Sequence, residues 1–278
     1  MNAPGHLELR QRAAATLRLD LSGLIPEALA GKARSDIERI ALAVGRRQVA
    51  LAELFDVRGE PGDTLVIHTL DDRCDRIGAG MSRGLLRVEG PAGAYVGLGA
   101  TGGRVSVSAD CGPYCGAASS GALIEVEGHC GDFIGGALPG EHAGMNGGTV
   151  WVRGSAGDRA GDHMRRGLIL VEGDCGDFAA SRMGGGTVAV LGRVGAHAGY
   201  AMRRGTILAL GPRPQPAPTF QDCGTHRLGF LVLLQRAWAR TVPASKFGRL
   251  TRADARAARW VGDAGFGGQG ELLHWGES

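Results

Sequence analysis

One short pattern recurs eight times through the middle of this chain, and a fixed period of that kind prescribes stacked units in place of a conventional globular core. In the copy at residues 84–97, apolar residues alternate at Leu86 and Val88, and glycines follow at Gly90, Gly93 and Gly97. Equivalent first positions fall at Leu65, Gly84, Gly103, Ala122, Gly148, Gly167, Gly186 and Gly205. Six of the seven intervals are 19 residues; the other, of 26, fits one turn plus a seven-residue insertion within residues 136–147.

Within each copy the third and fifth positions are apolar, as in Val105/Val107, Ile124/Val126, Val150/Val152, Ile169/Val171 and Val188/Val190. Period two with β-branched residues signals a strand. Nineteen residues are too few for a βαβ unit, which needs about 30. The pattern therefore predicts an all-β fold, a right-handed parallel β-helix of about eight 19-residue coils, with a short N-terminal cap and a C-terminal helical segment. Coils stacked at about 4.8 Å make a rod roughly 35 Å long. The 49 glycines belong to its corners, where stacking leaves little room for a Cβ.

Residue types line up between copies. Met81, Met145, Met164, Met183 and Met202 each stand three residues before a coil start, which predicts an inward methionine ladder. Tyr95, Tyr114 and Phe133 share the twelfth position and predict an aromatic ladder, also in the core. Cys111, Cys130 and Cys175 share the ninth position, with Cys115 at the thirteenth and Cys74 at the tenth; these read as small buried residues on ladders. Cys223 alone lies outside the repeat. Free thiols are expected over disulfides.

Three segments follow: residues 1–62 as a capping segment, 63–211 as the glycine-rich coils, and 212–278 as a proline-rich link and helical extension. The first carries the alternating runs Leu17–Leu21 and Ile40–Val44. The last opens with four prolines between Pro212 and Pro218; Leu228, Leu231, Leu234, Ala237 and Trp238 then share one helical face within residues 226–240. Thr251-Arg252-Ala253-Asp254 reads as a capping-box variant opening another helix, and residues 267–273 as a loop and a last short strand. A net charge of +3 makes no case for nucleic acid. The start, Met1 to His6, has no basic-then-apolar signal, and the apolar run Leu228–Leu234 is far short of a bilayer span of about 20 residues. A cytoplasmic location away from membranes is expected.

Few residues invite chemistry. Gly97 to Gly102 spells GxGxxG, but the dinucleotide mechanism needs a helix N-terminus next, and another β-coil follows. Cys111, Cys115, His129 and Cys130 can be read as a zinc set; the adjacent His129-Cys130 makes a poor second half, and the ladders account for the cysteines without metal. Ser119-Ser120, His142, His163 and His197 show no nucleophile elbow or partner spacing. Asp132, Asp158 and Asp177 repeat at the eleventh position, which favours corner hydrogen bonding over catalysis.

Two features ask for partners. The outward fourth position is polar in early coils (Arg87, Ser106, Glu125) and apolar in late ones (Trp151, Leu170, Ala189, Leu208). Either the C-terminal helix covers that strip or a partner protein docks there through Trp151, Leu170 and Leu208. Arg83, Arg165-Arg166 and Arg203-Arg204 occupy positions just before coil starts, alternating with Gly184-Gly185. That stripe reads either as a site for carboxylates or phosphates or as a solvated edge.

The coil Gly121 to Gly135 resembles the glycine-rich repeats of the C subunits of formylmethanofuran dehydrogenases, a family that shares them with the C-terminal domain of the large subunit of glutamate synthase. Phe55-Asp56-Val57-Arg58-Gly59, Gly262-Asp263 and Gly268 to Leu273 resemble the stand-alone subunit, so the likeness spans nearly the whole chain. The resemblance implies a non-catalytic scaffold with no catalytic, cofactor-binding or metal residues of its own. One setting of the family is a molybdenum or tungsten enzyme making formylmethanofuran from carbon dioxide. The other is the bacterial formyltransferase/hydrolase complex, which moves a formyl group from tetrahydromethanopterin to a methanofuran-type carrier and hydrolyses it to formate. The partners would be an amidohydrolase subunit holding zinc, a formyltransferase subunit and a third subunit. A composition rich in alanine and arginine, with Lys32 and Lys246 the two lysines, favours the bacterial setting. The carrier's glutamate-rich tail would suit the Arg165/Arg166/Arg203/Arg204 stripe.

Overall fold

The structure is a computed structural model that describes residues 6–252 and 254–276. The chain start up to Gly5 and Ala253, on which two of the expectations above fall, lie outside the described residues.

The chain is mostly β. Its N-terminal part holds β1 (His6–Gln11), β2 (Leu19–Asp20), the short helices α1 (Pro26–Leu29) and α2 (Arg34–Glu38), the hairpin β3 (Ala41–Val44) and β4 (Arg47–Ala50), α3 (Leu51–Leu54) and β5 (Phe55–Gly59). The repeat supplies β6 (Thr64–His68), β7 (Cys74–Asp75), β8 (Leu85–Glu89), β9 (Arg104–Val107), β10 (Leu123–Val126), β11 (Asn146–Val152), β12 (Arg166–Val171), β13 (Thr187–Val190) and β14 (Arg204–Ala209). The C-terminal part adds β15 (Gln221–Arg227), α4 (Phe230–Thr241), β16 (Arg256–Gly262) and β17 (Gln269–His274).

Thirteen strands form one sheet, in the order β15-β16-β17-β14-β13-β12-β11-β10-β9-β8-β6-β1-β5. From β8 to β14 each strand pairs in parallel with the next copy's strand, so the third positions stack directly: Leu86 on Val105, then Ile124, Val150, Ile169, Val188 and Ile207. A second parallel ladder joins Ala92, Cys111, Cys130, Ala156, Cys175 and Val194 at the ninth position. A third set of backbone bonds joins the next corner: Gly116 N donates to Val96 O, Gly135 N to Cys115 O, Gly161 N to Ile134 O and Gly199 N to Ala179 O. Successive copies are thus bonded to one another at three places, which satisfies the backbone of a chain with little regular secondary structure.

The five repeat methionines are fully buried beside the third and fifth positions, so the methionine ladder lies inside as expected. The aromatic ladder does not. Tyr95 stacks on Tyr114 at 5.2 Å and Tyr114 on Phe133 at 4.9 Å, but all three rings are half-buried on the outside. The column continues through cations, with Arg76 over Tyr95 at 5.8 Å and Arg159 bridging Phe133 and Phe178 at 5.9 and 4.8 Å. Every residue of this column has positive φ, from 56° at His197 to 65° at Tyr95. The left-handed conformation swings the side chain out of the turn, which is why recurrence of an apolar residue type at this position does not place it in the interior.

The first copy is also displaced. β6 pairs with β8 as Thr64 to Leu85 and Leu65 to Leu86, so Leu65 aligns with the third position and not the first. Its strand lies 21 residues before the next, whereas Ala94 N still reaches the Asp75 side chain at the 19-residue spacing, 2.8 Å away. The insertion leaves and rejoins the stack at one level: Ala137 N donates to Asp162 O at 3.1 Å and Met145 N to Gly135 O at 2.8 Å.

Both ends of the parallel column are closed by antiparallel strands. β1 pairs in parallel with β6 and antiparallel with β5; at the other end β17 adds a parallel rung to β14, and β16 and β15 follow antiparallel. Such strands break the uniform edge that would template further stacking. The helix expected over residues 226–240 is α4, but His226 and Arg227 belong to β15. Among the described residues no helix opens at Thr251; Arg252 and Asp254 lie outside any helix or strand, and β16 follows because it completes the sheet beside β17.

Close stacking sets the glycine requirement. A Cβ on the exposed Gly121 would lie 2.1 Å from Thr101 O in the turn below. We expect Gly121→Ala to lower stability by about 1–3 kcal/mol in urea denaturation, since only separation of the turns relieves the contact. Gly229→Ala, with nothing within 4 Å of the added carbon, is the control and should shift stability by no more than about 0.5 kcal/mol.

Candidate functional site

The two halves of the expected docking surface have different fates. Trp151, Leu170, Ala189 and Leu208 are at most 2% exposed and form a second core with Leu231, Trp238, Val242, Phe247, Leu273 and Trp275. The chain's own C-terminal extension covers the strip, so Trp151, Leu170 and Leu208 are packing residues and offer no docking surface. Inside this layer Trp151 Nε1 donates to Glu172 Oε1 at 2.9 Å, and Lys246 N donates to the same oxygen at 2.8 Å, while Trp238 Nε1 is buried without a partner. Arg153 covers the outer side of the indole at 4.8 Å.

Arg83, Arg165, Arg166, Arg203 and Arg204 are all exposed. Arg165 and Arg203 sit on turns two apart, about 10 Å by strand spacing, and the glycines of the turn between leave room for them: a Cβ on Gly184 would meet the Arg165 guanidinium at 3.3 Å. Arg165 Nη2 donates to His142 O at 2.9 Å, which ties the insertion loop to the stripe, and Arg204 Nε donates to Gln269 Oε1 at 2.8 Å. Guanidinium groups so placed present planar donor pairs to carboxylates.

The corner aspartates act on backbone. Asp132 Oδ1 accepts from Asp158 N, Asp158 Oδ1 from Asp177 N and Asp177 Oδ1 from Ala196 N, each at 2.8 Å. Gly97 and Gly99 lie in turns with φ of 65° and 63°, followed by β9 and not by a helix, so the GxGxxG spacing has no phosphate-binding geometry. Ser119 is fully buried, His142 is exposed, and His197 stacks on Phe178 at 4.9 Å; the structure does not bring them together.

Of the residues read as a zinc set, three converge. The Sγ atoms of Cys111, Cys115 and Cys130 all lie within 4.8 Å of one another, and all three residues are buried. His129 is exposed, and its Nδ1 accepts from Ser155 N at 3.0 Å. The isolated cysteines behave differently: burial, then nearby aspartates, pushes the Cys74 and Cys175 thiols up to about 12, which leaves them neutral and unreactive.

Sequence reasoning missed a polar hub at the insertion. Asp162, 3% exposed, accepts from Ser181 Oγ at 2.5 Å, from Arg182 Nε at 3.0 Å and Nη2 at 2.9 Å, and pairs with His163 Nδ1 at 3.0 Å. The serine and histidine side chains both bond the aspartate and not each other, so this is a clamp and not a nucleophile-base pair. Asp162 and Ser181 share the fifteenth position, and His163 and Arg182 the sixteenth; comparing those positions across turns would have found them. Also missed was a groove of about 1040 Å³ between the proline-rich link and β16, walled by Arg213, Arg252, Arg256 and His274.

Residues 22–219 match the family defined by the GXGXG motif. A chain of the crystal structure of the formyltransferase/hydrolase complex FhcABCD from Methylorubrum extorquens, in complex with methylofuran, superposes with a TM-score of 0.89 at 39% identity, covering 96% of this chain and 98% of that one. The chain belongs to the family of Fhc C subunits. The C subunit of the Fhc formyltransferase/hydrolase complex from the same organism is 39% identical over 85 residues, 31% of this chain and 32% of that protein. The C subunit of a molybdenum-containing formylmethanofuran dehydrogenase from Methanosarcina barkeri is 34% identical over 85 residues, 29% of this chain and 28% of that protein. Each of these two alignments therefore spans about a third of the relative's length. No described helix is long and apolar enough to cross a membrane.

Proposed function

We propose that this chain is the structural subunit of a formyltransferase/hydrolase complex, in which partner subunits move a formyl group from tetrahydromethanopterin to a methanofuran-type carrier and hydrolyse it to formate. The observation that carries the reading is the near end-to-end superposition on a chain of FhcABCD. Three sets of inter-turn bonds support a right-handed parallel β-helix, with residues 1–62 capping it, 63–211 forming its coils and 212–278 covering its flank. A scaffold role is supported by what the polar corner residues do: their side chains are engaged by the backbone of the next turn. The zinc that activates water for hydrolysis of the formamide belongs, on this reading, to the amidohydrolase partner, and a formyltransferase and a third subunit make up the rest of the assembly.

The exposed arginine stripe is the surface this reading assigns to the carrier's acidic tail. An affinity-tagged chain purified from its own cells should bring down three other subunits, as native mass spectrometry would count; isolation of a stable chain alone would overturn the scaffold reading. Substituting Arg165, Arg166, Arg203 and Arg204 together with alanine should leave assembly intact and weaken carrier binding by roughly tenfold or more, about 1.4 kcal/mol. Unchanged affinity in an intact complex would remove the stripe from carrier binding. Metal analysis of the same preparation separates the two family settings, zinc alone favouring formate release and molybdenum or tungsten the carbon dioxide-reducing enzyme.

A further inference from the structure

The three converging cysteines are not accounted for by stacking. The ninth-position ladder accepts alanine at Ala92 and Ala156, on either side of Cys111 and Cys130, and the thirteenth accepts Val96 and Ile134, on either side of Cys115. Packing alone therefore asks for small or branched apolar groups at these places and not for three sulfurs facing one point. We propose that Cys111, Cys115 and Cys130 form a three-sulfur site inside the column for one monovalent thiophilic cation, copper(I) in chemical class.

Geometry and donor type both favour this ion. Three sulfurs around a trigonal ion at the usual metal–sulfur distance of about 2.3 Å lie about 4 Å apart; the sulfurs are already within 4.8 Å of one another, so adjustments of under about 1 Å close the site. Among the described residues the group contains sulfur alone, with no imidazole or carboxylate to supply the fourth ligand that structural zinc takes. Thiolate ligands select soft ions. A bound ion would tie two successive turns together next to the 26-residue interval, where the repeat is least regular.

The test uses the full-length protein expressed with added copper, purified without oxygen and challenged with a copper(I) chelator before metal analysis. One copper per chain should survive, with X-ray absorption reading three sulfur neighbours. Cys111→Ala, Cys130→Ala and Cys115→Val put each ladder's own alternative in place, so folding should persist, and each should retain less than a tenth of the copper. Cys175→Ala and Cys223→Ala should retain all of it. Copper stripped from the wild type, copper held equally by Cys115→Val, or zinc held at one per chain in place of copper would each overturn the proposal.

Discussion

Trp151→Ala is expected to destabilise the chain by about 3–5 kcal/mol in urea denaturation, the range for truncating a buried aromatic side chain. Trp151 is 2% exposed at the near end of the strip that the C-terminal extension covers, and its loss leaves a cavity in the cluster that also holds Trp238 and Phe247. The substitution also removes the indole N–H from Glu172, whose carboxylate then keeps Lys246 N and the more distant Lys246 Nζ at 3.8 Å. Trp151→Phe retains most of the apolar burial and should cost about half as much. A Trp151→Ala chain as stable as the wild type but unable to join other subunits would show that the strip serves a partner and that the extension lies elsewhere in solution.

Asp162→Ala is expected to cost about 2–3 kcal/mol. It strands the fully buried Ser181 hydroxyl, and a buried polar group without a partner costs about 1–3 kcal/mol. Arg182 adds less, because its side chain is 41% exposed and water takes up the released donors. Asp162→Asn keeps an acceptor for Ser181 and should recover about half of the loss. Because Ala137 N is held by Asp162 O, hydrogen exchange in residues 136–145 should quicken in Asp162→Ala; exchange and denaturation both unchanged would show that the hub does not anchor the insertion.

The parts of the fold legible in the sequence are those that repeat. Each turn faces the same neighbours above and below, so Leu86, Val105, Ile124 and their successors meet one requirement seven times and reveal it by recurrence. The buried methionines and the corner aspartates were readable for that reason. The aromatic column shows the limit: recurrence placed Tyr95, Tyr114 and Phe133 on one another, but the positive φ that turns them outward is a backbone property with no apolar signature. Leu65 fails differently, since an end turn lacks a neighbour on one side and slips by two residues to meet β1.

At the candidate sites the boundary falls between contacts along a ladder and contacts across the turn. Cys111 and Cys130 share a position, and their stacking follows from the period. Cys115 stands four residues on, and its approach to them depends on how two sides of one turn close on the interior. The apolar strip was equally visible, but what lies on it was not, because the covering residues from Leu231 to Trp275 have no periodic relation to Trp151, Leu170 and Leu208. Sequence by itself determined the stacking register and the identity of the ladders, because these are set by local, repeated backbone bonding. Tertiary structure alone decided which surfaces the extension buries, which leaves the arginine edge open, and which side chains meet through the column's centre, because those contacts join residues that the period does not relate.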